Sequence, residues 1–215
     1  MPQAPKAAAI LIAVIALSLI GAPAFAQLTA SPSPSPPPES IAPPLRAQLV
    51  ASGHKVAVGT ASIELWFVSA LAAGANGWTE VREGTLVGAM RVTGPFREIR
   101  GKTVSPGDYT LRFALQPQNG DHLGASPYRE YLLISPAAAD TDSKPLGFDG
   151  VVAIAKQTTG TSHPAALSLD PPLSTGAPLS PYSNELDLKG VVFELKTAAG
   201  GTLKFGLILQ GVIEH

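Results

Sequence analysis

The sequence has no cysteine, and charged residues make up only 14% of its 215 residues. Without cysteine the chain cannot be a disulfide-stapled small protein, and it cannot hold a metal through thiolates. Because 15 basic residues face 16 acidic ones, no positive excess is available to neutralise the phosphates of a nucleic acid. A hydrophobic fraction of 45% argues against a disordered chain. We therefore expect a folded protein with no nucleic-acid partner.

Residues 1–26 have the three-part pattern of a secretory signal peptide. Lys6 supplies the positive start, an apolar run covers residues 7–20, and Ala-Phe-Ala at 24–26 is a small-x-small cleavage site. The apolar run is shorter than the ~20 residues that a membrane-spanning helix needs. The pattern predicts export to the periplasm or the cell exterior, with no membrane span after cleavage.

The next segment, residues 27–44, contains seven prolines and four serines. Proline fixes φ and lacks an N–H donor, so we expect neither helix nor sheet here, but a partly extended linker. A docking ligand for a proline-recognising partner is the alternative. Residues 45–215 are then predicted to form a single domain.

Alternation of apolar and polar residues dominates that domain. In residues 108–116, Tyr109, Leu111 and Phe113 fall on one face and Arg112 on the other, which is typical of a half-buried strand. Residues 191–196 and 202–210 alternate in the same way on either side of Gly200-Gly201, which predicts a β-hairpin.

One short helix is predicted after Asp149. Val151, Val152 and Ala155 would form its apolar side, and Gly160 would lie just beyond its end. Short strands separated by Gly/Pro turns favour an antiparallel β-sandwich, either immunoglobulin-like or jelly-roll-like, with this one helix. A partly closed barrel is the alternative.

The stretch Lys-Thr-Val-Ser-Pro-Gly-Asp-Tyr-Thr-Leu-Arg at 102–112 resembles the P-G-x-Y-x-L strand entry of secreted immunoglobulin-like and carboxypeptidase-regulatory-like modules. Residues 84–140 are also similar to exported bacterial β-sandwich proteins. The resemblance implies a sandwich fold and a secreted setting, and it supplies no catalytic residues.

Histidines are the candidate metal ligands, at positions 54, 122, 163 and 215. His122 and His163 lie in predicted loops, and Asp121 precedes His122, so the three could meet at one end of a sandwich. Imidazole and carboxylate ligands suit Zn or Cu. However, no two histidines have the spacing that places both on one face of a strand or helix, so we expect no cofactor, with a Zn or Cu site as the alternative.

Two other sequence patterns resemble functional motifs but do not match them. Asp140 and Asp142 begin like a calcium loop, but Lys144 and Pro145 occupy positions that need a ligand and a glycine, so we expect a solvated acidic loop leading to the helix. No G-x-S-x-G motif is present, and the adjacent Ser162 and His163 diverge on an extended backbone. No catalytic residue is therefore assigned, although a hydrolase site assembled from scattered loop residues remains an alternative.

Trp78 lies in a predicted loop between strands, where an exposed indole could contact a partner. The alternative is that Trp78 closes the end of the core. These observations predict an exported, non-enzymatic β-sandwich module that binds a protein or envelope component. Its binding residues are predicted to be Trp78, Asp121, His122, Ser162 and His163. A periplasmic Cu- or Zn-binding protein is the second hypothesis, and a hydrolase is the third.

Overall fold

The computed structural model describes residues 1, 28–74, 76–118, 120, 126, 128–171 and 176–213. Residues 2–27, which include most of the predicted signal peptide, lie outside this part of the chain. No helix among the described residues has both the length and the apolar character needed to cross a membrane.

The described residues are mainly β. The strands are β1 (Thr29–Ser33), β2 (Gly53–Val58), β3 (Ala61–Phe67), β4 (Leu86–Thr93), β5 (Phe96–Arg97), β6 (Thr103–Val104), β7 (Gly107–Leu115), β8 (Glu130–Pro136), β9 (Ala166–Asp170), β10 (Pro181–Ser183), β11 (Lys189–Lys196) and β12 (Thr202–Gln210). The helices are the single turn α1 (Pro43–Arg46) and the longer α2 (Gly147–Thr159), with short 3₁₀ turns at Gly77–Glu80 and Ala137–Ala139.

Ten of these strands form one antiparallel sheet in the order β1-β2-β3-β4-β7-β8-β9-β12-β11-β10, and β5 pairs with β6 apart from it. The chain that follows β3 meets the end of β11: the amide of Leu71 donates to the carbonyl of Lys196 (2.8 Å), and its carbonyl accepts from the amide of Ala198 (2.8 Å). The main sheet is therefore nearly closed and barrel-like. The mainly antiparallel β prediction is confirmed, but the ten strands form one nearly closed sheet that is not clearly a sandwich.

The core lies inside this curved sheet. Leu111 and Phe113 of β7 are fully buried there, together with Phe67, Phe193 and other apolar residues. The side chains that alternate with them, such as Arg112, lie on the outer face. The two-residue period thus identified the correct faces, and the terminal hairpin pairs as predicted, with Glu194 opposite Lys204 and Lys196 opposite Thr202.

The segment predicted as a linker is part of the fold from Leu28 onward. β1 pairs with β2, and the carbonyl of Ser35 accepts a hydrogen bond from Nε1 of Trp66 (2.7 Å). Ile41 and Leu45 are fully buried. The expectation of neither helix nor sheet is therefore wrong. Proline is tolerated in β1 because this strand ends the sheet, and in α1 because a first turn needs no amide donor.

The loop that enters α2 also differs from its prediction. Asp140, expected in a solvated loop, is fully buried, and both its carboxylate oxygens accept from Arg112 (2.6 and 2.8 Å). Thr110 donates to the same carboxylate (2.5 Å). Residues 140–146 therefore lie over the outer face of β7 and hold the start of α2 on the sheet.

Candidate functional site

A cavity of about 230 Å³ lies between α2 and the outer face of strands β8 and β9. Phe148 and Val152 of the helix, together with Ala166 of β9, give it an apolar lining. Ser162 and His163, in the turn after the helix, form part of its exposed rim. We call this cavity the α2 groove.

Small side chains allow α2 to lie close to the sheet. Ala114 of β7 and Ala166 of β9 are buried in one cluster with Val151 and Ala155 of the helix. A larger side chain at either strand position would overpack this contact and displace the helix. The shape of the α2 groove therefore depends on this packing.

The end of α2 carries the predicted residues back over the groove. Gly160 has φ 65° and its amide donates to the carbonyl of Lys156 (3.0 Å), a left-handed helix ending that glycine adopts without strain. The hydroxyls of Thr159 and Thr161 then both donate to the carbonyl of His163 (2.9 and 3.0 Å). These bonds fix the turn, so that Ser162 and His163 lie beside the cavity.

The lining of the α2 groove is basic. Arg100, Lys156 and His163 contribute to it, and none of its described lining residues is acidic. The Lys156 side chain is exposed and makes no ion pair within the described chain. An anionic group in the groove would therefore meet the charge of Lys156, which is unpaired among the described residues, while the charge of Arg100 is balanced by Glu98.

Arg100 is held in position by two partners. Its Nε donates to Glu98 (3.0 Å), and its Nη2 donates to the carbonyl of Pro164 (3.0 Å). Glu98 is only 3% exposed and also accepts from the backbone amides of Arg100 (3.2 Å) and Lys102 (3.0 Å). The carboxylate of Glu98 is therefore fully engaged beneath the groove, and Arg100 presents its remaining nitrogen, Nη1, without a hydrogen bond among the described residues.

Hydroxyl groups complete the lining. The hydroxyls of Ser126 and Ser168 are 2.7 Å apart and hydrogen-bonded to each other. Burial raises the pKa of Tyr131 to about 12; the charge of Arg100 opposes that shift, and the charge of Glu83 adds to it. The Tyr131 hydroxyl is therefore protonated at neutral pH and can donate a hydrogen bond.

A buried carboxylate lies further along the same face of β9. Asp170 is 4% exposed, and burial raises its pKa, while the nearby hydroxyl of Tyr128 lowers it. The Tyr182 hydroxyl is buried without a hydrogen-bond partner among the described residues. Tyr182 lies directly over Gly206, since a Cβ there would be 2.1 Å from the Tyr182 hydroxyl. The aromatic cover separates Asp170 from solvent.

The structure brings together only part of the predicted site. Ser162 and His163 line the α2 groove, whereas Asp121 and His122 lie outside the described residues. Trp78 is 4% exposed inside the sheet, where it stacks on Phe113 with ring centroids 5.4 Å apart. Trp78 is therefore a core residue in the structure and does not line the α2 groove.

The predicted metal site is not assembled within the described chain. No group of three His, Asp or Glu side chains comes together there to hold a metal. His163 lies in the α2 groove, and its predicted co-ligands Asp121 and His122 are outside the described residues. Metal binding through these three residues therefore stays a prediction.

The ring of His54 in β2 lies against Phe193 of β11. Its partial burial should make the free energy of unfolding depend on pH. Its ring centroid is 5.6 Å from that of Phe193 and 6.1 Å from that of Phe67, and its Nδ1 has no hydrogen-bond partner among the described residues. Burial lowers the pKa of His54 below 6.5. Near that pH the unfolded chain binds more protons at this position than the folded chain does.

We therefore expect the free energy of unfolding to fall as the pH is lowered from 7 through 6.5 to the lower pKa of folded His54. Urea unfolding at pH 7 and pH 5 measures this loss. In the His54→Phe variant, which keeps a ring beside Phe67 and Phe193, the loss should be smaller. An equal loss in both proteins would show that other groups carry the pH dependence.

Sequence reasoning missed Arg100 and Lys156 as groove residues. Lys156 is part of the predicted helix, but no motif marks it or Arg100 as a binding residue. Lys156 lies on the helix that covers the sheet, and Arg100 lies in the turn between β5 and β6 and is bonded to Pro164. Their place in the groove becomes visible only after the packing of α2 is known.

Comparison of this chain with protein-family models, with curated proteins and with solved structures found no match. The resemblance to immunoglobulin-like and carboxypeptidase-regulatory-like modules therefore stays a prediction. The function has to be inferred from the α2 groove and from the sequence.

Proposed function

We propose that this chain is an exported, non-enzymatic binding module that contacts a protein or another envelope component through the α2 groove. Export is inferred from residues 1–26, whose pattern is that of a secretory signal peptide. The observation that carries the binding role is the groove itself, where basic side chains and the predicted residues Ser162 and His163 surround an apolar lining. Concave, mainly apolar sites with a few placed polar groups are the usual form of a binding site.

A binding role is favoured over catalysis because most polar groups of the groove are already engaged in hydrogen bonds within the chain. Arg100 holds Glu98 and the carbonyl of Pro164, and Ser126 is bonded to Ser168. His163 is held through its backbone by Thr159 and Thr161. These bonds stabilise the walls of a preformed site, which lowers the ordering cost of binding.

Site-specific photocrosslinking tests this proposal. A photoreactive residue at Ser162, in the full chain expressed in a bacterial envelope, should give a crosslinked product that the same residue at Thr60, an exposed turn between β2 and β3, does not give. Val152→Trp fills the groove and should abolish the product. Ala153→Trp puts the same bulk on the exposed side of α2 and should retain it.

Two results would contradict the proposal. One is a product from Ser162 that survives Val152→Trp, because the partner would then not use the groove. The other is equal crosslinking from Ser162 and Thr60, because contact would then be non-specific. Far-UV circular dichroism of both tryptophan variants controls for misfolding.

A further inference from the structure

The α2 groove has the features of a site for one apolar residue that carries a carboxylate. Phe148, Val152 and Ala166 provide an apolar lining. Lys156 provides a positive charge beside it that is unpaired among the described residues, and Arg100, whose charge Glu98 balances, provides the N–H donors of Nη1. Because the apolar lining and the positive charge lie in one small site, a ligand that fits must carry an apolar side chain and a negative charge on the same residue. The further inference rests on the proposed function and specifies the chemistry of the partner.

The size of the groove limits what enters it. Its volume of about 230 Å³ is below the ~300–1,000 Å³ typical of pockets that enclose a drug-sized ligand. It can hold one side chain and an attached carboxylate, while the rest of a longer ligand stays outside. The exposed rim at Ser162 and His163 leaves a way out for a chain.

The charges favour a carboxylate over a neutral end. Lys156 makes no ion pair within the described chain, and Arg100 keeps Nη1 available while Glu98 is occupied by three donors. Tyr131 adds a protonated hydroxyl to the same lining. Hydrogen bonds between such donors and a carboxylate are about twice as strong as those between neutral groups.

We infer that the α2 groove binds the C-terminal residue of a protein partner. The apolar side chain of that residue contacts Phe148, Val152 and Ala166, and its terminal carboxylate is held by Lys156 and Arg100. The remainder of the partner leaves past Ser162 and His163. A chain end is favoured over an internal segment because only the last residue carries both an apolar side chain and a free carboxylate.

The test uses fluorescein-labelled hexapeptides that end in Leu, Phe, Ser or Asp, each made as free acid and as C-terminal amide. Binding to the full chain is measured by fluorescence polarisation. We expect the free acids ending in Leu or Phe to bind at least about tenfold more tightly than their amides and than the Ser and Asp peptides. Lys156→Glu should remove most of the preference for the acid, and Lys196→Glu, an equal charge change at an exposed position of β11, should not.

The outcomes separate this inference from the proposed function. Equal binding of acids and amides would overturn the chain-end assignment, and so would octanoate competing as tightly as the best peptide, since the groove would then be a site for free organic acids. If no peptide binds but Val152→Trp still abolishes the Ser162 crosslink, the proposed function stands and this inference fails. If peptides bind and Val152→Trp has no effect on them, the groove is not their site and the inference also fails.

Discussion

Replacing Arg112 by methionine should lower the free energy of unfolding by about 3–5 kcal/mol, because it leaves a buried carboxylate without its partner. Arg112 and Asp140 are both fully buried. Among the described residues, the carboxylate would keep only the hydroxyl of Thr110, and a single neutral donor does not replace a bidentate guanidinium. Equilibrium unfolding in urea, followed by circular dichroism, measures the change.

Arg112 also binds the loop that leads into α2. Its Nη1 donates to the carbonyls of Gly84 (2.7 Å) and Lys144 (3.1 Å), and its Nη2 donates to the carbonyl of Asp142. Methionine cannot make these bonds, so the start of α2 should become less well held. We therefore expect Arg112→Met to weaken ligand binding at the α2 groove as well.

The matched control is the ion pair between Arg91 and Asp108, which is also bidentate but near the surface. The side chain of Arg91 is 41% exposed, so Arg91→Met should cost only about 0–1 kcal/mol. A double variant, Arg112→Met with Asp140→Leu, should recover part of the loss because no unpaired buried charge remains. Equal losses for the Arg112 and Arg91 variants would contradict this account of the buried pair.

Trp78→Ala should lower the free energy of unfolding by about 3–5 kcal/mol, because it empties a large space in the core. Besides stacking on Phe113, the indole meets Phe205 edge-on with ring centroids 5.3 Å apart. Its Nε1 has no partner among the described residues, so Trp78→Phe should cost less, roughly 1–2 kcal/mol. Urea unfolding distinguishes the two variants.

The same variants decide between the two readings of Trp78 in the sequence. As a core residue, its replacement by phenylalanine should leave binding at the α2 groove unchanged. If Trp78→Ala were as stable as the parent protein but lost its partner, Trp78 would be a ligand contact. The stability and the binding measurements therefore have to be made on the same preparations.

The local pattern of the sequence predicted the strands well because alternation depends only on which face is buried. Leu111 and Phe113 lie inside the sheet, and Arg112 lies outside, as their spacing requires. Whether the sheet closes depends on a contact between Leu71 and Lys196, which are far apart in the sequence. No local pattern carries that information, so the sandwich and the partly closed barrel could not be distinguished.

Two errors have a common physical reason. The Pro/Ser-rich segment was predicted to be a linker because of its prolines. In the structure this segment covers β3, and Ile41 and Trp66 are buried between them. Asp140 was read as solvated because carboxylates usually are, although Arg112 on the outer face of β7 needed a counter-charge. In both cases the residues that determine the local structure lie elsewhere in the sequence and are brought into contact only by tertiary packing. Ser162 and His163 could be predicted as binding residues because they lie in a loop. Arg100 and Lys156 could be recognised as groove residues only once the position of α2 on the sheet was known.

The prolines have a further consequence at the two ends of the main sheet. The terminal strands β1 and β10 are five and three residues long, and they contain Pro32 and Pro181. Short, proline-bearing edges are poor templates for an added strand, because each proline lacks the amide that would extend the ladder. Both edges of the main sheet therefore disfavour polymerisation by strand addition.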